Sequence, residues 1–258
     1  MGSLNHAYET IRARLEDDIC FVQIHRPESN NAINNRLIEE FGGVLRACEG
    51  SAKVIVLAGT PEVFCSGADF KEIQTGSEQN RNREQDPEPL YDLWHRLACG
   101  PYITIAHVQG RANAGGIGFV AACDIVVGDN KATFSLSELL FGLMPACVLP
   151  FLVRRVGFAK ASFMTLTTQP ISAAQAQAWG LVDVCEDNSE NLLRKQLLRL
   201  RRLGKDGIAR YKRYASSLDD ALTRSKPKAL AGNLEVFSDP DNLQNIVRYV
   251  RTGKFPWE

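Results

Sequence analysis

Two runs of small residues are the parts of this chain best suited to chemistry. The first is Phe64-Cys65-Ser66-Gly67-Ala68-Asp69-Phe70-Lys71-Glu72, and the second is Gln109-Gly110-Arg111-Ala112-Asn113-Ala114-Gly115-Gly116-Ile117-Gly118. Small side chains let a backbone approach a ligand closely. Each run leads into a helix-like stretch, whose first N–H groups lack intrahelical partners and sit at the positive end of the helix dipole. Two such turns facing one point would form an oxyanion hole, suited to an enolate or a tetrahedral anion.

The elements that must position these turns alternate along the first half of the chain. Strand-like runs occupy 19–24, 54–58 and 103–108, and the last two feed directly into the small-residue turns. Residues 35–48 read as an amphipathic helix, with Leu37, Ile38, Phe41, Val44 and Leu45 at helical spacing. Residues 124–128 and 132–134 read as two further strands. Strands alternating with helices predict an α/β fold. From Glu138 onward the pattern is almost entirely helical, punctuated by residues such as Gly157, Pro170 and Pro227. We therefore expect an α/β core over 1–190 and a helical region over 191–258. Residues 74–89 hold no aliphatic or aromatic side chain and read as a solvated loop, placed where a lid would sit.

Composition removes several classes. Thirty basic residues balance thirty acidic ones in 258, which disfavours a nucleic-acid binder. No apolar run is long enough to span a membrane, and the first residues have no signal-peptide core, so a cytoplasmic protein is expected. The seven cysteines contain no C-x-x-C pair, so neither a zinc site nor a disulfide framework is expected, and most should act as small core hydrophobes. Cys65 and Cys147 flank the motifs and are the two thiols whose reactivity is worth checking.

The two turns resemble those of the crotonase (enoyl-CoA hydratase/isomerase) superfamily. So do Arg26-Pro27, Asn31-Ala32, Cys123-Asp124-Ile125, Gly142 with Pro145, and Ile171-Ser172-Ala173-Ala174 leading to Gly180-Leu181-Val182-Asp183. The resemblance runs from about residue 8 to the end. It implies a crotonase fold, a spiral of ββα repeats, with a helical trimerisation region at 191–258 and assembly as a homotrimer or hexamer. It implies thioester substrates and no metal or cofactor. Carried over residue by residue, it makes Ala68 and Gly115 the backbone donors to the thioester oxygen, with Ala114 replacing a common glycine.

Hydratases of this family use two glutamates. At one of those positions this chain has Gly118; at the other, in Ser137-Glu138-Leu139-Leu140-Phe141-Gly142, it keeps Glu138. Glu138 is expected to be catalytic, although Ser135-x-x-Glu138 also fits a helix capping box. Gly118 is expected to open space, and to remove a repelling charge, beside the substrate β-carbon. That profile resembles the dehydratases of polyketide β-branching cassettes. These convert 3-hydroxy-3-methylglutaryl to 3-methylglutaconyl on an acyl carrier protein bearing a phosphopantetheine thioester. Tyr91, His95, Arg111 and Asn113 are candidates to hold the distal carboxylate, each with a plain structural alternative. An enoyl-CoA isomerase or hydratase is the runner-up. The basic stretch 194–213 reads first as a solvated amphipathic face, then as a carrier-protein dock, and last as an RNA-binding surface of a non-enzymatic relative.

Overall fold

The computed structural model describes residues 7–71 and 86–258. The larger sheet holds six strands in the order β1 (Ile11–Glu16), β2 (Ile19–Ile24), β3 (Val54–Ala58), β5 (Ile103–Val108), β7 (Ile125–Asp129) and β10 (Val184–Glu186). Only β1 runs antiparallel, in a tight pair with β2. The central register aligns Val54 with Ile103 and Ile105 with Ile125. Residues Val54–Leu57 are buried on both faces, as a parallel sheet covered on each side requires.

A second, smaller sheet sits at the C-terminal edge of the first: β4 (Val63–Cys65), β6 (Arg111–Asn113), β8 (Thr133–Ser135) and β9 (Ile171–Ser172). The chain therefore spirals, laying a long strand in one sheet, a short strand in the next, and then a helix. Helix α1 (Asn35–Cys48) starts at Asn34, whose side chain accepts the Leu37 N–H at 2.9 Å. It buries Leu37, Phe41, Val44 and Leu45, as its spacing predicts. Helix α2 (Glu88–Cys99), α3 (Gly115–Ala122) and α4 (Leu149–Thr167) complete the cover of the main core. The ββα spiral implied by the family resemblance is the observed architecture.

After α4 come α5 (Ala173–Ala178), α6 (Ser189–Leu200), α7 (Lys205–Leu218), α8 (Ala221–Ser238) and α9 (Pro240–Thr252). The expectation of helix from Glu138 onward is corrected at three places. Glu138–Phe141 is a 3-10 turn, and β9 and β10 are short strands at the sheet edges. Both strands are too brief to register as hydrophobic alternation. Pro227 does not end a helix, because α8 runs through it, whereas Gly157 does break α4 with a φ of 77°. Of the loop at 74–89, residues 74–85 lie outside the described residues, and Glu88 already belongs to α2. Among the described residues no helix is long and apolar enough to cross a membrane.

Candidate active site

A cavity of ≈ 760 Å³ opens beyond the C-terminal ends of β4, β6 and β8. Ala68 and Gly115 line it from the two turns, Glu138 from the 3-10 turn, and Tyr249 and Phe255 from the end of the chain.

The first turn is held by a single parallel bridge. Ile33 N–H donates to Gly67 O at 2.7 Å, and Asp69 N–H donates to Ile33 O at 3.0 Å. Successive amides of extended backbone point to opposite sides, so the Ala68 N–H faces away from Ile33. Asp69 is buried and pairs with Arg26 at 3.0 Å, and Arg26 in turn donates to Ala32 O at 2.7 Å, which fixes the far side of the turn. The second turn enters α3 through Ala114, whose φ of 50° is unusual for a residue with a Cβ. Gly115 is the first residue of α3, so its N–H is an intrahelical orphan. The turns touch: a Cβ on Gly67, whose φ is 97°, would lie 2.7 Å from Ala114 Cβ and 3.3 Å from Gly115 N.

Asn113 ties the turns together. Its amide donates to Ser66 O at 3.3 Å and to Ser137 Oγ at 2.9 Å, while its oxygen accepts from Ser135 Oγ at 2.7 Å. With its donors and acceptor committed, Asn113 holds the site rather than the substrate. Asn113 lines the cavity, and its three bonds within the site favour its structural alternative.

Glu138 sits at the start of the 3-10 turn, with Ser135 in β8 rather than at a helix N-cap. The capping-box alternative therefore fails, since Ser135 ends a strand and the residue before the 3-10 turn, Ser137, makes no side-chain cap hydrogen bond. One carboxylate oxygen, Oε2, is buried with no hydrogen-bond partner among the described residues. Burial raises its pKa to about 7, against the opposing pull of the Glu138 and Ser137 N–H groups. Glu138 lines the cavity, and a carboxyl whose burial raises its pKa to about 7 is suited to exchanging a proton there.

Three expected binding residues are corrected. Tyr91 is fully buried, packs against Phe151, and donates to Leu222 O at 2.6 Å, so it fastens α2 to α8. His95 faces Thr223 at 3.3 Å and Cys99 at 3.7 Å, away from the cavity. Gly118 opens no space, because a Cβ there would lie 2.4 Å from Trp94 Cζ2. The indole of Trp94, itself 1% exposed, already fills that volume. Arg111, by contrast, lines the cavity and is exposed; among the described residues its side chain makes no ion pair.

The basic stretch lies elsewhere. Arg201 reaches Asp17 in the β1–β2 turn at 3.7 Å, and Lys212 is buried in an ion pair with Asp124, just before β7. Both contacts are at the N-terminal edge of the large sheet, opposite the cavity. Burial pushes the thiols of Cys65 and Cys147 up to about 12, so both behave as core hydrophobes.

Sequence reasoning missed Trp94 and the closing role of the chain end. The spacing of Tyr91, Trp94 and Ala98 on an amphipathic helix signals a buried face, but not what that face packs against. Phe141 stacks edge-on with Tyr249 and contacts Phe255, so the 3-10 turn carrying Glu138 is backed by α9 and the residues after it.

The family model described as enoyl-CoA hydratase/isomerase matches residues 14–258. The bacillaene synthase dehydratase PksH of Bacillus subtilis is 57% identical over 252 residues, 97% of each chain. A crystal structure of PksH from Bacillus subtilis matches with a TM-score of 0.92 at 56% identity, covering 97% of this chain and 100% of that one. The 2,3-dehydroadipyl-CoA hydratase of Escherichia coli is 34% identical over 167 residues, 64% of each chain.

Proposed function

The chain belongs to the enoyl-CoA hydratase/isomerase family, and on that premise we propose that it is a dehydratase of polyketide biosynthesis. Its substrate in this reading is the 3-hydroxy-3-methylglutaryl group on the phosphopantetheine thioester of an acyl carrier protein. Its product is the 3-methylglutaconyl thioester. The observation that carries the reading is Glu138: a buried carboxylate with an unpartnered oxygen, in the same cavity as the two turn amides.

The steps follow from that arrangement. The N–H groups of Ala68 and Gly115 bind the thioester oxygen. Glu138 takes a proton from C2, and the negative charge that develops on the oxygen is met by donors already in place. The C3–O bond then breaks. The proton now on Glu138 goes to the departing hydroxide in a syn elimination, so one carboxylate completes the cycle and leaves as it began. Arg111, exposed on the cavity wall, pairs with the distal carboxylate of the substrate. Of the other carboxylates of the wall, Asp69 is buried against Arg26 at 3.0 Å and Glu28 lies 3.8 Å from the same guanidinium.

Mass spectrometry of a carrier protein loaded with the 3-hydroxy-3-methylglutaryl group tests the reading. Loss of one water is expected. Loss of carbon dioxide points to a decarboxylase, and turnover of 3-enoyl-CoA without water loss points to an isomerase. Retention of RNA at moderate salt would support the non-enzymatic relative, which the position of the basic stretch disfavours.

A further inference from the structure

We propose that Trp94 is the specificity-determining residue of this site, because its indole occupies the space into which any side chain at position 118 would project. Positions 115 and 118 lie one turn apart on α3 and share a face. Gly115 lines the cavity on that face, so a side chain at 118 would enter the wall beside the turn amides. Trp94 closes this route. A Cβ at 118 would meet Cζ2 at 2.4 Å and both Cε2 and Cη2 at 2.6 Å, whereas real Cβ contacts stay beyond about 3.0 Å.

The ring has nowhere to go. Trp94 packs edge-on against Phe119 and Phe151, each at 5.8 Å between centroids. Phe119 stacks on Phe41, and Phe151 leans on Tyr91, whose hydroxyl is anchored to Leu222. Four aromatic rings therefore hold the indole in place. The indole N–H is buried with no acceptor among the described residues. A phenylalanine or leucine would fill much of that volume without stranding a donor, so core stability alone does not account for a tryptophan here.

Resting on the reading of Glu138 as the sole working carboxylate, this makes the Trp94–Gly118 pair the device that keeps the site to one carboxylate. It also keeps out the water that a second carboxylate would hold. With the indole removed, a glutamate at 118 has room to reach the cavity wall. The pair of carboxylates can then add water across a straight-chain 2-enoyl thioester, hydroxide to C3 and a proton to C2.

A double-mutant cycle tests both halves. Alanine in a helix is normally more stable than glycine. Gly118→Ala is nevertheless expected to lower the melting temperature of the otherwise native chain, yet to raise it in a Trp94→Ala background. That reversal of sign is the mark of direct contact. A Gly118→Ala variant as stable as the parent, or an equal effect in both backgrounds, overturns the contact. For function, Trp94→Ala/Gly118→Glu is expected to hydrate crotonyl-CoA at least about tenfold faster than Trp94→Ala alone. A correctly folded double variant with no gain overturns the specificity role. Neither readout uses the carrier-bound substrate, so failure of the parent chain to dehydrate that substrate refutes the proposed function and leaves this inference standing.

Discussion

Glu138 combines two properties that pull against each other. In the proposed reaction its carboxylate must be charged to accept the C2 proton, yet its surroundings favour the neutral form. A folded-state pKa of about 7, above the ordinary 4.5, means that folding favours the protonated carboxyl. That stability is fully present below the unfolded value and is lost as pH rises through about 7. The cost above neutral pH is on the order of 3 kcal/mol, from a shift of this size at 1.36 kcal/mol per unit. Glu138→Gln should therefore cut water loss by roughly 10²- to 10⁴-fold while raising the melting temperature at pH 8. Unchanged turnover would exclude Glu138 as the base, and a lower melting temperature would contradict its burial as a charge. In the parent enzyme, kcat/KM should rise with pH through an apparent pKa of about 7, because the base works only once deprotonated. Arg111 differs in kind. In the proposed reading its charge acts on binding, so Arg111→Gln should raise KM for the acidic 3-hydroxy-3-methylglutaryl substrate far more than for its distal amide. Equal effects on both substrates would remove Arg111 from carboxylate recognition.

At the scale of elements, catalytic geometry depends on three short strand-to-turn junctions that share one asparagine. Asn113 contributes three hydrogen bonds that reach Ser66, Ser135 and Ser137, so it couples the oxyanion turns to the turn bearing Glu138. Asn113→Ala should cost about 2 kcal/mol, since such bonds contribute roughly 1 kcal/mol each and part of the loss is recovered by water. It should lower kcat with little change in KM, and circular dichroism melts beside steady-state kinetics would separate the two effects. A raised KM at constant kcat would instead mean that Asn113 touches substrate. This coupling shows where sequence reading reaches and where it stops. The strands at 19–24, 54–58 and 103–108 were legible because parallel strands buried on both faces are continuous apolar runs, and α1 because its apolar spacing is helical. That Ala68, Gly115 and Glu138 line one cavity was legible through motif order. Tyr91 and His95 were misplaced because a polar group on a half-buried helix can face either side, and only the partner, Leu222 or Thr223, decides which. Gly118 was misread for a related reason. A missing side chain looks like space until the residue that fills it is known, and Trp94 arrives from an element 24 positions earlier. The three-residue strands β4 and β6 carry too few residues to show alternation, and only their neighbours identify them.

The whole molecule leaves its helical region incompletely covered. Phe158 is 76% exposed on α4, and Leu166, on the same helix, and Leu218, on α7, are each 71% exposed. Tyr211 and Tyr214 on α7 are also exposed. Exposed apolar side chains of this size suit contact with another protein surface. The net charge is zero, so no long-range repulsion keeps copies apart at neutral pH. We propose that these helices, α7 within 191–258 and α4 before it, close a homotrimer, one of the two assemblies, trimer or hexamer, that the family resemblance implies. Light scattering should then give about three times 28.6 kDa. Leu166→Asp combined with Leu218→Asp should shift the protein to monomer, because a buried unpaired carboxylate at an interface costs several kcal/mol. A monomeric parent would refute the trimer, and a variant that stays trimeric would move the interface elsewhere. Ala68, Gly115, Glu138, Tyr249 and Phe255 line the cavity together within a single copy. Dissociation should therefore leave the acidic limb of the pH profile in place even as thermal stability falls. If instead that limb vanishes with the trimer, a neighbouring copy completes the environment of Glu138.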